Sequence, residues 1–370
     1  MPSRTCAVTR ACAWSVAGRW GARTTHGRLC ALPTPWCGTV AAASVSHAVL
    51  VDGDQVLAAG QNGAGQLGTR PCAEHWHIAA WQAPEPIQHV AAGMGFSVLG
   101  AAHALYACGT NVRGQRGGGS PLGHGLVRLP WRGAAVEGIA AGLDHALVLA
   151  REAHGAQSVY AWGLNTDGQV GDPGAGTWTP VLRRAAIPLV PQERLVRVVA
   201  GGDTSAVLTD HGRLFVWGNT EYGQALQPDD TADQQTVPLL ATALPPHVCD
   251  VQLGGSFVLL LDGVNTLTTD NGTLHVAGYG ATGHADTVRT PVPLPLGERV
   301  VRIHAGLHYA AAITESGDLY TWGLDTPDGR LAHGPLADRR VVRPRRVTAA
   351  AGAADVICGG ASLLVRHTAA

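Results

Sequence analysis

The chain is 370 residues long, with 49 glycines, 22 prolines and a formal net charge of −1. All 26 basic residues are arginine. The absence of lysine excludes a Walker phosphate loop, a pyridoxal Schiff base and a standard kinase site, each of which needs a lysine amine.

At the amino end, Arg4, Arg10, Arg19, Arg23 and Arg28 precede the first acidic residue, Asp52. An arginine-bearing, acid-free segment has the composition of an organellar presequence. It predicts a short mitochondrial signal over 1–13 and a single domain over 14–370. The signal stops early because 19–29 ("RWGARTTHGRL") matches 321–331 ("TWGLDTPDGRL") and is expected to be structural, with Trp20-Gly21 as its mark.

Glycine is nearly twice as frequent as the usual ~7%. With proline it punctuates an otherwise apolar chain, which predicts short strands and tight turns rather than helices. No apolar run reaches the roughly 18 residues of a membrane-spanning helix. The eight cysteines form no Cys-x-x-Cys pair and read as buried small apolar residues.

From residue 38 onward two marks alternate. The first is a small-residue strand, as in "VAAASVSHAVLV" (40–51), "IAAGLDHALVL" (139–149), "VVAGGDTSAVL" (198–208) and "IHAGLHYAAAI" (303–313). The second is a strand ending in Trp-Gly or its equivalent, followed by a polar turn. Its glycines are Gly60, Gly109, Gly163, Gly218, Gly278 and Gly323, about 53 residues apart on average, and Trp162, Trp217 and Trp322 precede three of them. That period fits a four-stranded propeller blade. Seven small-residue strands stand against six glycine marks, and Gly21 supplies the seventh. These counts predict an all-β, seven-bladed β-propeller of four-stranded antiparallel blades, its ring closed by the N- and C-terminal strands. Small side chains are expected nearest the axis, with each indole filling the wedge between neighbouring blades. Closure is expected to leave no exposed edge.

The candidates for chemistry have plainer structural readings. "GQRGGGSPLG" (114–123) has the look of a phosphate loop without its lysine, and reads as a blade connection. "HWH" (75–77) offers two period-two ligands with no carboxylate or cysteine nearby beyond Cys72 and Glu74, so it reads as a surface loop and no metal site is expected. Asp144-His145, with His308 at the matching position, reads as a turn and an inter-blade hydrogen bond rather than an acid/base pair. Arg339, Arg340, Arg343, Arg345 and Arg346 form the densest charge cluster, placed by this reading on a rim loop as a candidate RNA or partner patch.

The alternation of "A-G-x-x-H" with "v-y-x-W-G-x-n-x-x-G-q-l-G", seen at 141–149 with 159–171, resembles the regulator of chromosome condensation repeat family across about 38–370. The irregular blades, at 217–238, 276–283 and 303–323, look most like its mitochondrial branch, the Williams–Beuren-region type. The resemblance implies a non-enzymatic platform, without cofactor, in ribosomal RNA maturation and mitochondrial ribosome assembly. It also implies, as alternatives, nucleotide exchange on a small or mitochondrial GTPase, with 172–194 or 225–248 as the wedge, or an adaptor with no activity of its own. The expected partners are proteins at the rim loops, and mitochondrial rRNA or a GTPase. The chain is expected to be a monomer, mitochondrial rather than cytosolic or nuclear.

Overall fold

In the computed structural model the chain forms seven antiparallel sheets and one 3-10 turn. The structure describes residues 14–368 apart from 21–22, 33–35, 37, 39, 73–75, 119–124, 132, 230–231 and 264–271. The expected presequence over 1–13 and the Gly21 mark lie outside the described residues.

Blade 3 shows the plan. Its strands run from the axis outward as Ala135–Ala141, His145–Arg151, Gln157–Leu164 and Trp178–Ala185. Blades 1, 2, 4, 5 and 6 repeat it from Val40, Ile87, Leu195, Val248 and Val300. Each small-residue segment is therefore a hairpin and not one strand. Residues 303–313, for example, hold the end of Val300–Ala305, a turn, and most of Tyr309–Thr314. The tryptophan strand is the third from the axis. Only the first lines the channel, where seven strands converge; small residues such as Ala41, Ala91, Ala140 and Ala200 fit there, but so do Arg197, Asp250, Arg302 and Asp355, so the lining is not made of small residues alone.

The seventh blade is shared by the two chain ends. Ala353–Cys358 and Ser362–His367 are its inner strands, and Trp14–Trp20 adds antiparallel to them, pairing Trp14 with Arg366 through Gly18 with Ser362. Two short strands, Arg23–Thr24 and Cys30–Ala31, take the outer place. Closure does not remove every edge: among the described residues the outermost strand of each blade pairs with no strand on its outer side.

The glycine mark has one physical cause in all seven blades. Each glycine has positive φ, from 93° at Gly18 to 140° at Gly60. This turns the chain so that the next residue's N–H reaches the carbonyl just before the second strand. Leu164 donates to Asp144 (2.8 Å), Asn219 to Asp203 (2.9 Å), Leu324 to His308 (2.9 Å) and Arg19 to Ala361 (3.0 Å). A side chain there would overlap that same carbonyl oxygen. The seventh mark is thus Gly18, three residues before the Gly21 expected from the Trp-Gly pattern. Ala17 holds the place that Trp162 holds in blade 3.

The buried apolar residues fall into seven clusters, one per seam between neighbouring blades. Trp162, Trp217 and Trp322 fill the seams before blades 3, 4 and 6 and are fully buried. Each indole N–H donates 2.8 Å across its seam, to the carbonyls of Gln115, Gln169 and Ala281. Cys108 occupies the indole's place in blade 2, and its thiol approaches the matching carbonyl of Gln66 at 3.5 Å.

Gly163→Ala combines a left-handed backbone, about 1 kcal/mol for an L-residue, with overpacking of about 1–3 kcal/mol. Gly155→Ala has the same sign of φ (88°) but open space around it. Urea unfolding is expected to show a destabilisation of roughly 3 kcal/mol at Gly163 and about 1 kcal/mol at Gly155. Equal destabilisation would contradict the carbonyl contact as the cause of the mark.

Candidate partner-binding face

One end of the ring carries both the turns between first and second strands and the long loops after each glycine mark. Those loops are built by their own side chains. The Oδ1 atoms of Asn62, Asn111 and Asn165 accept from the N–H five residues ahead, at 3.0 ± 0.1 Å. The following glutamine folds back in the same way, with Gln115 Oε1 accepting from Arg113 (2.8 Å) and Gln169 Oε1 from Asp167 (2.9 Å). Its Nε2 then reaches the next blade, from Gln115 to Asp144 (2.8 Å) and from Gln169 to Asp203 (3.1 Å).

Beneath this layer runs a histidine relay. His145 Nε2 lies 2.9 Å from Ser205 Oγ, which donates to the Gln169 carbonyl at 2.8 Å. His47, Ser97 and the Gln66 carbonyl repeat it between blades 1 and 2, at 2.6 and 2.9 Å. The serine spends its proton on the carbonyl, so the imidazole must be the donor, protonated at Nε2. Burial lowers the pKa of His47 to about 3 and that of His145 to about 4. Neither ring touches solvent enough to exchange a proton with a substrate. Asp144-His145 is therefore a seam element, and its inter-blade bond is as expected. His308 is not its counterpart. The register places Tyr309 opposite Gly323 as His145 is opposite Gly163, and Tyr309 donates across the next seam to the Ser362 carbonyl at 3.0 Å.

The other sequence candidates are dispersed. Gln115 and Arg116 of the glycine-rich stretch are buried in the blade 2 loop, and 119–124 lie outside the described residues. His77 begins the outer strand of blade 1, with Cys72 Sγ at 2.6 Å from its Nε2, while His75 lies outside the described residues. Among the described residues no group of three or more His, Cys, Asp or Glu is arranged to hold a metal. The five arginines do not sit on a rim loop. Arg340–Arg346 is the fourth strand of blade 6, on the outer wall, and Arg339 leads into it. Charge along an edge strand deters pairing with another chain, and Arg346 is held by Asp318 at 2.5 Å.

The loop face instead exposes apolar groups that the sequence pattern does not announce. At the channel mouth the glycine turns of adjacent blades bond to each other, from Met94 to Leu143 (2.7 Å), Leu143 to Gly202 (2.9 Å), Gly255 to Leu307 (2.9 Å) and Gly360 to Ser44 (2.5 Å). Met94 and Val45 point outward there, 43% and 36% exposed. Farther out, Tyr222 and Tyr279 stack at 5.5 Å, and Leu324 and Val112 are exposed. Met94, Val45, Val112, Tyr222 and Tyr279 lie in turns and loops with no fixed pattern, and Leu324 ends its strand just after the Gly323 mark, so the repeat does not mark their exposure.

The His145 environment fixes a pH response. The unfolded chain's imidazoles take a proton near pH 6.5, whereas the folded rings stay neutral until about 4 or below. The native state therefore binds fewer protons between those limits. Its stability is full above about pH 6.5 and falls as pH drops toward 4. His145→Gln is expected to flatten that decline by up to about 1.4 kcal/mol per pH unit, read from urea midpoints. An unchanged slope would show that the ring is not held neutral.

The sequence profile described as the regulator of chromosome condensation (RCC1) repeat matches residues 136–169 and 195–224. The human E3 ubiquitin-protein ligase HERC2 is 31% identical over 277 residues, 71% of this chain and 5% of that protein. The human RCC1-like G exchanging factor-like protein is 31% identical over 235 residues, 60% of this chain and 47% of its own length. The chain thus spans about half or less of these curated relatives. The crystal structure of human WBSCR16 shares the fold, with a TM-score of 0.79 at 24% identity over 96% of this chain and all of that one.

Proposed function

Because the chain belongs to the regulator of chromosome condensation repeat family, we propose that it is a non-enzymatic platform that binds a macromolecular partner on its loop face. The observation that carries this is the exposed apolar surface of Met94, Val45, Leu324 and the Tyr222–Tyr279 pair; turn-to-turn hydrogen bonds hold the backbone at Met94 and beside Val45, and the bonds after the glycine marks hold it at Tyr279 and Leu324. Exposed aromatic and methionine side chains are what partner surfaces are enriched in.

The finer reading is a mitochondrial protein acting in ribosomal RNA maturation and ribosome assembly, supported by the arginine-rich, acid-free amino end. A second reading, nucleotide exchange on a GTPase, is favoured by the name of the exchange-factor-like relative. For that role 172–194 and 225–248 are poor wedges, since Trp178–Ala185 and Gln234–Leu240 within them are fourth strands.

A tagged full-length chain, localised and recovered with and without RNase, separates these readings. Mitochondrial signal with RNase-sensitive ribosomal partners is the expected result. RNase-insensitive recovery of a nucleotide-free GTPase would replace it with the exchange reading. In either case Met94→Asp is expected to lower partner recovery severalfold, and full recovery with that variant would contradict the loop face as the platform. Replacing Arg339, Arg340, Arg343, Arg345 and Arg346 by Gln tests the wall as an RNA-binding surface. For every phosphate that these arginines neutralise, the replacement should flatten the salt dependence of single-strand binding by about 0.7 in slope. An unchanged slope removes RNA from that wall.

A further inference from the structure

A groove of about 340 Å³ opens on the loop face between blades 5 and 6. Phe257, Gly280 and Ala281 belong to its blade 5 side, and Leu307 and Leu324 to its blade 6 side. Tyr279, 46% exposed, stacks on Tyr222 from blade 4 at 5.5 Å, so the aromatic wall is two rings thick. Gly280 has nothing within 4 Å of where a side chain would be, which leaves a backbone-width approach open.

The cationic side chain lining this groove is Arg340. It pairs with Leu324 across the outer two strands of blade 6, so its side chain starts beside the apolar wall. Asp338 accepts from the Arg340 backbone N–H at 2.9 Å, but the guanidinium has no ion-pair partner among the described residues. Arg346, six residues on, is by contrast neutralised by Asp318. Of the other titratable side chains here, Tyr222 has its pKa raised by neighbouring Glu221, and His308 is held below its usual range by burial and by the cationic Arg330 behind it, so neither adds positive charge near neutral pH. An unpaired fork at the end of an apolar trough is complementary to a carboxylate that follows an apolar side chain. The channel-mouth side of blades 3 and 4 does not suit a polyanion. Asp144, Asp167 and Asp203 stand together near the channel mouth, close enough to raise the pKa of Asp203, which burial raises first. The chain as a whole carries a net charge of −1. A polyphosphate strand running from Arg340 across the channel mouth would meet repulsion at that aspartate cluster.

We propose that this groove docks a protein segment in which an apolar side chain lies against Tyr279 and Leu324 and a neighbouring Asp or Glu pairs with Arg340. The assignment rests on the platform reading and names the chemistry of the partner.

The test is selection of a random dodecapeptide display library on the immobilised full chain. Two surface variants, Tyr279→Ala and Arg340→Glu, and a decauridylate competitor accompany it. Enriched peptides are expected to place Leu, Ile or Phe within a few residues of Asp or Glu. Tyr279→Ala should weaken them about tenfold or more, as central aromatic anchors do. Arg340→Glu should turn the preference toward Lys or Arg, a reversal that mere loss of structure would not give. Enrichment unaffected by both variants, enrichment of basic peptides on the unaltered chain, or no enrichment at all would overturn the assignment. So would displacement by decauridylate that depends on Tyr279, which would give the groove to RNA. Organellar partner recovery that depends on Met94 but not on Tyr279 would keep the platform and remove this groove from it.

Discussion

Five pairs of backbone residues hold the ring shut. They join Trp14–Gly18 to Ser362–Arg366 in the seventh blade. Every other blade is a local product of about 50 consecutive residues, but this one requires ends more than 300 residues apart to find each other. Without it the inner hairpin of residues 353–367 would lack its third strand. The seam to blade 1, formed by Trp14, Val16, Trp20, Leu50 and Leu57, would open to water. The Gly360 turn also donates to the Ser44 carbonyl at 2.5 Å, so the mouth of the channel closes at the same junction.

A common backbone device lets the blades differ in side chains. The hydrogen bond after each glycine mark recurs in all seven blades. The indole does not, since Ala59, Cys108, Ala277 and Ala17 stand where a tryptophan would be. The seams adapt around those replacements. Blade 6 replaces the histidine and glutamine of the relay by Tyr309 and Arg330, whose guanidinium lies 4.4 Å over the tyrosine ring and bonds the Leu324 carbonyl. The Gly360 carbonyl in blade 7 accepts from the same group. Invariant backbone inside and variable side chains outside is what allows such a ring to carry different partners on the same frame.

The number and kind of blades are legible in the sequence because a positive-φ glycine recurs about once per blade, at spacings that average about 53 residues, and leaves few alternatives. The seventh mark misleads for a physical reason. Trp20 fills the seam to blade 1 from the end of its strand, so "Trp-Gly" at 20–21 imitates the repeat while Gly18 performs the turn. The small-residue segments look like single strands because their tight Gly-containing turns are as small as the strands around them. The arginine cluster looks like a loop because its edge strand has no clean alternation: only Val341 and Pro344, three residues apart, are half-buried among exposed residues, and the pairing with the third strand slips in register. Nothing in the repeat points to Tyr222 and Tyr279, which come from neighbouring blades and meet only in three dimensions.

Hydrogen exchange resolved by residue tests ring closure most directly, comparing the full chain with one lacking residues 1–31. The full chain should protect 14–20 and 362–367 together, to the same degree as the inner strands. The shortened chain should lose protection over 353–367 and over 47–60 next door. Undiminished protection of 362–367 in the shortened chain would mean that the seventh blade stands without the amino-terminal strand, and the account of closure would be wrong.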